Sequence, residues 1–270
     1  LVPSVPINDL YAPDGTRLAL HDLGGAGSPV LLLPGLCGYA GEWSATAAWL
    51  TDTHRVYALD PRGHGDSERR PKDVSRTAHV ADAAAALGLV GPAVLVGQSL
   101  GGHTALLTAA RHPRLVTRLV LVEAGPAGDG PGDDSADAIE RWLADWPVPF
   151  PGRATAAEYL GGGLVGSAWA GGLREHADGW YPAFDRDIMV ATVAGAAEPR
   201  WDEFEQVVCP TLLVKGERGF MSADEYTRMG RHPMLTAVEV PGAGHDVHLD
   251  SPDAWRAALT AFLGGSAGEP

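Results

Sequence analysis

Ser99 stands in Gly97-Gln98-Ser99-Leu100-Gly101, between the apolar run Ala93-Val94-Leu95-Val96 and the small-residue stretch that begins at Gly102-His103-Thr104-Ala105. The first run has strand character and the second helix character, so the serine falls on a strand-to-helix turn. Glycines on both sides let that turn close, because a Cβ there would strike the strand or the helix. The serine is then held in a strained backbone conformation with its hydroxyl exposed at the tip. A hydroxyl presented in this way, with a histidine to take its proton, attacks a carbonyl carbon and passes through a tetrahedral oxyanion. The bland alternative is a glycine-rich helix start with an idle serine, and the strand–turn–helix context argues against it.

Two further segments carry the same kind of signal. Val30-Leu31-Leu32-Leu33-Pro34-Gly35-Leu36-Cys37-Gly38 is a buried-strand run that breaks into a glycine-containing loop. Asp60-Pro61-Arg62-Gly63-His64-Gly65-Asp66-Ser67 follows a second strand-like run, Arg55–Leu59. With the G-x-S-x-G elbow, these loops resemble those of the α/β-hydrolase superfamily, from about Asp9 to Leu263. Pro34 stands where many members have histidine. The resemblance implies an oxyanion hole from two backbone N–H groups, those of Leu36 and Leu100, and a backbone donor at Leu36 survives the change at Pro34.

Ten histidines are present. His245 closes Val238-Glu239-Val240-Pro241-Gly242-Ala243-Gly244-His245, a late strand and glycine-rich loop ahead of the last helix, which is where the superfamily keeps its base. His248 is the local rival. The acid departs from the common pattern. Cys209–Gly219 reads as the penultimate strand and its exit, where many relatives carry an aspartate, but that position is Gly219. A catalytic histidine without a carboxylate loses control of its tautomer, so a substitute is expected. Glu123 closes the strand after the elbow helix, Arg118–Val122, beside the nucleophile strand where ligand groups collect in such sheets. In this placement the chain is similar to zearalenone lactonases and some haloalkane dehalogenases. Glu217, Asp224 and Glu225 are the rivals, each also readable as a solvated loop or surface acid. Dehalogenases need a carboxylate nucleophile, which a serine does not supply.

Composition bounds the reading. The chain has 270 residues, 45% of them hydrophobic, which fits an α/β domain with an insertion and not a disordered chain. A formal net charge of −14 argues against nucleic acid or an anionic membrane as partner. No apolar run is long enough to span a bilayer, and Leu1–Pro6 has no leader-like basic or apolar region, so a cytoplasmic location is expected. The two cysteines, Cys37 and Cys209, have no metal-ligand spacing and are expected as free thiols.

These groups need a scaffold. An opening hairpin is expected over Asp9–Leu23, turning at Pro13-Asp14-Gly15. Strands at Pro29–Leu33, Arg55–Leu59, Ala93–Val96 and Val116–Glu123 then alternate with helices near Ser44–Leu50 and Val74–Leu87 and after the elbow. That alternation predicts a mostly parallel sheet flanked by helices. The pattern breaks after Gly125. Ala127–Asp134 reads as a hinge-like loop, and helical patches follow at Ser135–Asp145, Ala154–Leu160 and Asp185–Val193. Gly161-Gly162-Gly163 and Gly171-Gly172 read as mobile joints. The α/β-hydrolase fold is therefore expected, with residues 1–124 and 205–270 as core and a helical cap over 125–204, inserted after the sixth strand.

The functional expectation is a serine hydrolase for an uncharged, fairly apolar carboxylic ester or lactone, working through an acyl-enzyme. Ser99 is the nucleophile, His245 the base and Glu123 the orienting carboxylate, with no cofactor or metal. Trp142, Trp146 and Trp180 are the candidate pocket aromatics in the cap, against the plainer reading that they pack it onto the core. The same fold also hosts cofactor-free perhydrolase or cyclase-like enzymes and ligand receptors, and the sequence leaves the oligomeric state open.

Overall fold

The computed structural model describes residues 5–128 and 136–264. The chain opens with the hairpin β1 (Val5–Tyr11) and β2 (Arg17–Gly24), then runs through β3 (Pro29–Leu33), a short 3₁₀ turn at Ala40–Trp43, α1 (Ser44–Leu50) and β4 (Arg55–Asp60). Next come α2 (Arg76–Val90), β5 (Ala93–Gln98), α3 (Ser99–Arg111) and β6 (Val116–Val122). The insert holds α4 (Ala136–Ala144), α5 (Arg153–Tyr159), α6 (Gly163–Gly171), a hairpin of β7 (Arg174–His176) and β8 (Gly179–Tyr181), and α7 (Arg186–Ala194). The chain then passes through α8 (Trp201–Glu205), β9 (Thr211–Gly216), α9 (Ala223–Met229), β10 (Leu235–Val240), α10 (Val247–Asp250) and α11 (Pro252–Gly264).

Eight strands form one sheet in the order β1-β2-β4-β3-β5-β6-β9-β10. The pairings β1–β2 and β2–β4 are antiparallel and the rest parallel. β5 and β9 are buried along their whole length, as strands covered on both faces must be. Alternate side chains feed two cores. Leu31, Leu95, Leu119 and Leu213 meet Leu87 of α2 and Leu106 of α3 on one face. Leu32, Val96, Val120 and Val214 meet Leu50 of α1 and Trp255 of α11 on the other. The chain reverses its direction of travel across the sheet between β3 and β5, and α1 and α3 leave on opposite faces. That leaves a crevice at the carboxyl ends of these two strands, the usual place for a site in such sheets.

The Asp60–Ser67 loop locks this frame. Asp60 accepts hydrogen bonds from the Ala40 and Asp66 N–H groups at 2.6 and 2.8 Å, and lies 3.0 Å from His21. The buried Arg62 guanidinium binds Asp82 through two nitrogens and Asp14 through a third. The residues that carry the loop motif are therefore structural.

The insert differs from the sequence reading in two places. The glycine runs flank α6, a regular helix, and the β7–β8 hairpin was not expected. The loop expected over Ala127–Asp134 lies largely outside the described residues. The insert has its own apolar cluster, in which Leu143, Trp146, Phe150, Phe184 and Met189 meet Cys37 of the core. Phe204 of α8 already belongs to the sheet core. The exposed pairs Arg70–Asp187 and Arg174–Asp66 and the contact of Arg69 with Asp185 tie the insert to the loop after β4.

Four buried histidines make the fold acid-sensitive. Burial pushes His64 down to about 4, His103 and His248 down to about 3, and His79 well below its ordinary 6.5. Each stays neutral in the folded chain while the unfolded chain protonates, so stability present above pH 6.5 is lost as pH falls toward the folded values. The loss is roughly 1.4 kcal/mol per pH unit for each histidine. Burial raises Glu42 and Asp246, and at His21 the pull of burial is outweighed by the Asp60 hydrogen bond, which raises it; these groups oppose part of the loss. Melting temperature measured from pH 7 to 5 should fall, and a rise would contradict these burial assignments.

Candidate active site

Among the described residues, three that are not glycine have φ between +20° and +160°: Cys37 at 65°, Ser99 at 49° and Glu123 at 49°. Strain of this kind persists only where surrounding structure enforces it, and all three lie in the loops that leave β3, β5 and β6 at the crevice. The elbow glycines show how tightly it is enforced. A Cβ on Gly97 would lie 2.3 Å from the Gly101 carbonyl oxygen, and one on Gly101 would lie 2.3 Å from the Pro34 carbonyl oxygen. The turn can therefore close only around glycine.

A cavity of about 820 Å³ opens above this point. Ser99, His245, Glu123, Leu36 and Leu100 all border it. Ser99 begins α3, so the Leu100 N–H sits in the first helical turn, where amides have no acceptor within the helix and the helix dipole is positive. Leu36 lies in the turn closed by the bond from Gly38 N–H to the Gly35 carbonyl.

His245 Nδ1 lies 3.5 Å from Glu123 Oε2. The Glu123 carboxylate is buried and receives three backbone N–H bonds: Gly216 at 2.8 Å on Oε1, Phe220 at 2.8 Å and Met221 at 3.3 Å on Oε2. Every partner comes from β9 or its exit, the segment from which the common pattern would supply an aspartate. Gly219 explains the exchange. A Cβ there would sit 2.2 Å from the Glu123 carboxyl group, so one position can carry a side chain only if the other does not reach the same space. The φ of Gly219 is not positive, so the obstacle is the glutamate and not the backbone. Phe220 stacks on the His245 ring with centroids 4.4 Å apart.

Among the rivals, Glu225 also borders the cavity. Glu217 is exposed and accepts the Gly242 N–H at 2.7 Å. Asp224 is exposed on α9, and Glu225 accepts the Ala127 N–H at 2.9 Å. His248 is buried against Trp43, stacked at 4.2 Å.

The three tryptophans singled out from sequence separate. Trp142 borders the cavity. Trp146 and Trp180 do not. Trp146 is buried behind the wall, edge-on to Trp142, Phe150 and Phe184. Trp180 lies under the Arg153 guanidinium at 4.4 Å, and its backbone pairs with Phe150. Sequence reasoning missed Trp169, Phe220 and Asp246, which all border the cavity. Trp169 was masked by the glycine runs around α6. Phe220 and Asp246 carried a usable signal, since each directly follows a position already under scrutiny.

Comparison with known proteins agrees with this architecture. The model of the alpha/beta hydrolase family matches residues 30–258. The chain is 27% identical over 251 residues to 2-(acetamidomethylene)succinate hydrolase of Mesorhizobium japonicum, covering 88% of this chain and 89% of that one. It is 30% identical over 251 residues to an sn-1-specific diacylglycerol lipase of Mus musculus, covering 87% and 80%. The crystal structure of E-2-(acetamidomethylene)succinate hydrolase superposes with a TM-score of 0.87 at 25% identity, over 97% of this chain and 100% of that one. No helix among the described residues is long and apolar enough to cross a membrane. With the crevice at the reversal point of the sheet, the strained serine elbow and a family match over most of its length, this chain belongs to the alpha/beta hydrolase family.

Proposed function

We propose that this protein is a serine hydrolase that cleaves a carboxylic ester or lactone with an uncharged, largely apolar body. The observation that carries the reading is the common cavity: Ser99 on its strained elbow and His245 with Glu123 behind it face one space. His245 Nε2 takes the Ser99 proton as Oγ bonds to the carbonyl carbon, and the Glu123 carboxylate stabilises the imidazolium through Nδ1. The Leu36 and Leu100 N–H groups receive the oxyanion. The imidazolium then gives its proton to the departing alkoxide. Water, activated by the same histidine, releases the acid and restores Ser99.

The walls favour an apolar substrate. Ile139, Trp142, Leu160, Val165 and Val193 come from the insert, which acts as a cap and supplies most of the apolar residues that border the cavity. Labelling with a fluorophosphonate, followed by peptide mapping, tests the reading. Modification at Ser99 together with turnover of short p-nitrophenyl esters supports it, and an unlabelled Ser99 overturns it. Trp142→Ala should raise KM for bulky esters about tenfold more than for an acetyl ester, while Trp180→Ala leaves that ratio unchanged. Equal ratios in the two variants would mean that Trp142 is not part of the substrate wall.

A further inference from the structure

One carboxylate beside His245 joins three separate parts of the chain. Asp246 Oδ1 accepts from Gln98 Nε2 at 3.2 Å, and Asp246 Oδ2 accepts from Trp169 Nε1 at 3.3 Å. Gln98 is the residue before Ser99, and its amide also donates to the His245 carbonyl at 3.3 Å. Trp169 belongs to α6 of the insert. The carboxylate therefore touches the elbow on one side and the insert on the other, and it is covalently next to the histidine.

The geometry points to Asp246 as a positioning residue that fastens α6 to the His245 loop, so that His245 is correctly seated only when the insert is closed over the cavity. This role rests on the hydrolytic reading of the same site.

Two observations support the assignment. First, the other polar links between insert and core, the Arg69, Arg70 and Arg174 ion pairs, join the insert to the loop after β4 and are largely solvent-accessible. Pairs of this kind contribute little and are screened by salt, and the apolar cluster at Cys37 packs the insert without directional bonds, so the Trp169 bond is a directional link from the insert to the catalytic loop. Second, Trp169 is itself fixed. Its ring meets Trp142 edge-on at 5.8 Å and Trp146 at 6.3 Å, and Tyr39 fills the space beside Gly171 and Gly172 at the end of the helix. A shift of α6 must therefore break the Nε1–Asp246 bond.

Charge adds a second effect. The ionisable groups that act on Asp246 are His245 next to it, Asp250 of α10, Glu123 at the end of β6 and Glu42 of the 3₁₀ turn. Burial raises Asp246 from its ordinary value, with His245 and the Trp169 N–H opposing the rise. When ionised, Asp246 places a second negative charge near the imidazole that must become positive during catalysis.

Trp169→Phe removes the N–H and keeps an aromatic ring. Trp180→Phe is the control, because that ring lies under Arg153, away from the cavity lining and from the rings that meet Trp169. Asp246→Asn removes the charge and offers only one acceptor oxygen to two donors. With a small alkyl fluorophosphonate as probe, Ser99 in Trp169→Phe should label about five- to tenfold more slowly than in wild type, with Trp180→Phe unchanged. In Asp246→Asn the rate should fall at least as far, and the acid limb of its pH profile should move to lower pH because the imidazolium loses an anion. Backbone hydrogen exchange over α6 should rise several-fold in both variants, with the sheet unaffected. Wild-type labelling and wild-type α6 exchange in Trp169→Phe would overturn the assignment. If wild type itself fails to label, the hydrolytic reading falls. Exchange over α6 then still decides the tether: a rise supports it, and no change removes it.

Discussion

Ser99→Ala should lower kcat on the best ester found by at least about 10⁴-fold, with a residual rate left by the oxyanion donors. The variant should fold normally, because Gly97 and Gly101 shape the elbow and Oγ does not: the close approaches to the Gly101 and Pro34 carbonyls involve backbone alone. A companion variant separates chemistry from strain. At φ 49° Ser99 occupies a region that side chains avoid, so Ser99→Gly should be as inactive as the alanine variant yet melt at a higher temperature. Relief of the strain is worth on the order of 1 kcal/mol. A steady-state assay and a thermal melt on the two variants check both halves. Wild-type turnover in either would sink the nucleophile assignment.

Glu123→Gln should cost about 10²–10⁴-fold in kcat with little change in KM, by loss of the charge that stabilises the imidazolium. Its amide nitrogen must also face at least one of the N–H groups from Gly216, Phe220 and Met221, which leaves a buried donor unsatisfied. The melting temperature should therefore drop as well, and kcat is to be read below the transition. Glu217→Gln, at an exposed position on the same stretch, should be nearly silent. A dead Glu217→Gln beside an active Glu123→Gln would place the acid after the later strand. Gly219 supplies the sharper test. Gly219→Ala alone should impair both stability and rate, since its Cβ meets the Glu123 carboxyl group at 2.2 Å. Glu123→Ala with Gly219→Asp vacates that space and refills it with a carboxylate from the neighbouring strand. That double variant should recover part of the rate lost in Glu123→Ala, and kcat for the pair measures it.

The two effects differ in kind. The serine change removes a reacting atom, whereas the glutamate change removes a charge and disturbs the loop that three backbone bonds hold in place. Agreement of kcat loss with unchanged labelling stoichiometry at Ser99 in Glu123→Gln would show that the nucleophile remains in position and that its activation is what has been lost.

The chain by itself determined whatever depends on neighbours in sequence. The elbow was legible because its constraint is local: glycines at Gly97 and Gly101 are demanded by a turn of five residues. The strands were legible because parallel strands covered on both faces read as unbroken apolar runs, as in β3 and β5. The order of the chain placed His245 in a glycine-rich loop after the last strand. The absence of an acid at Gly219 was visible too, and it directed attention to Glu123.

Only tertiary structure decided how the absence is compensated. The Glu123 side chain enters the space above Gly219 and collects backbone N–H groups from residues about 95 positions away in the chain. No local pattern encodes such a contact. The insert shows the same limit. Trp142, Trp146, Trp169 and Trp180 are alike in sequence, yet Trp142 and Trp169 face the cavity while Trp146 and Trp180 pack behind it. Which face of a short helix is buried depends on what packs against it, and in the insert that is other short helices and a hairpin instead of a regular sheet. The Asp246 contact with Trp169 belongs to this second class, because it exists only once α6 has docked beside the histidine loop.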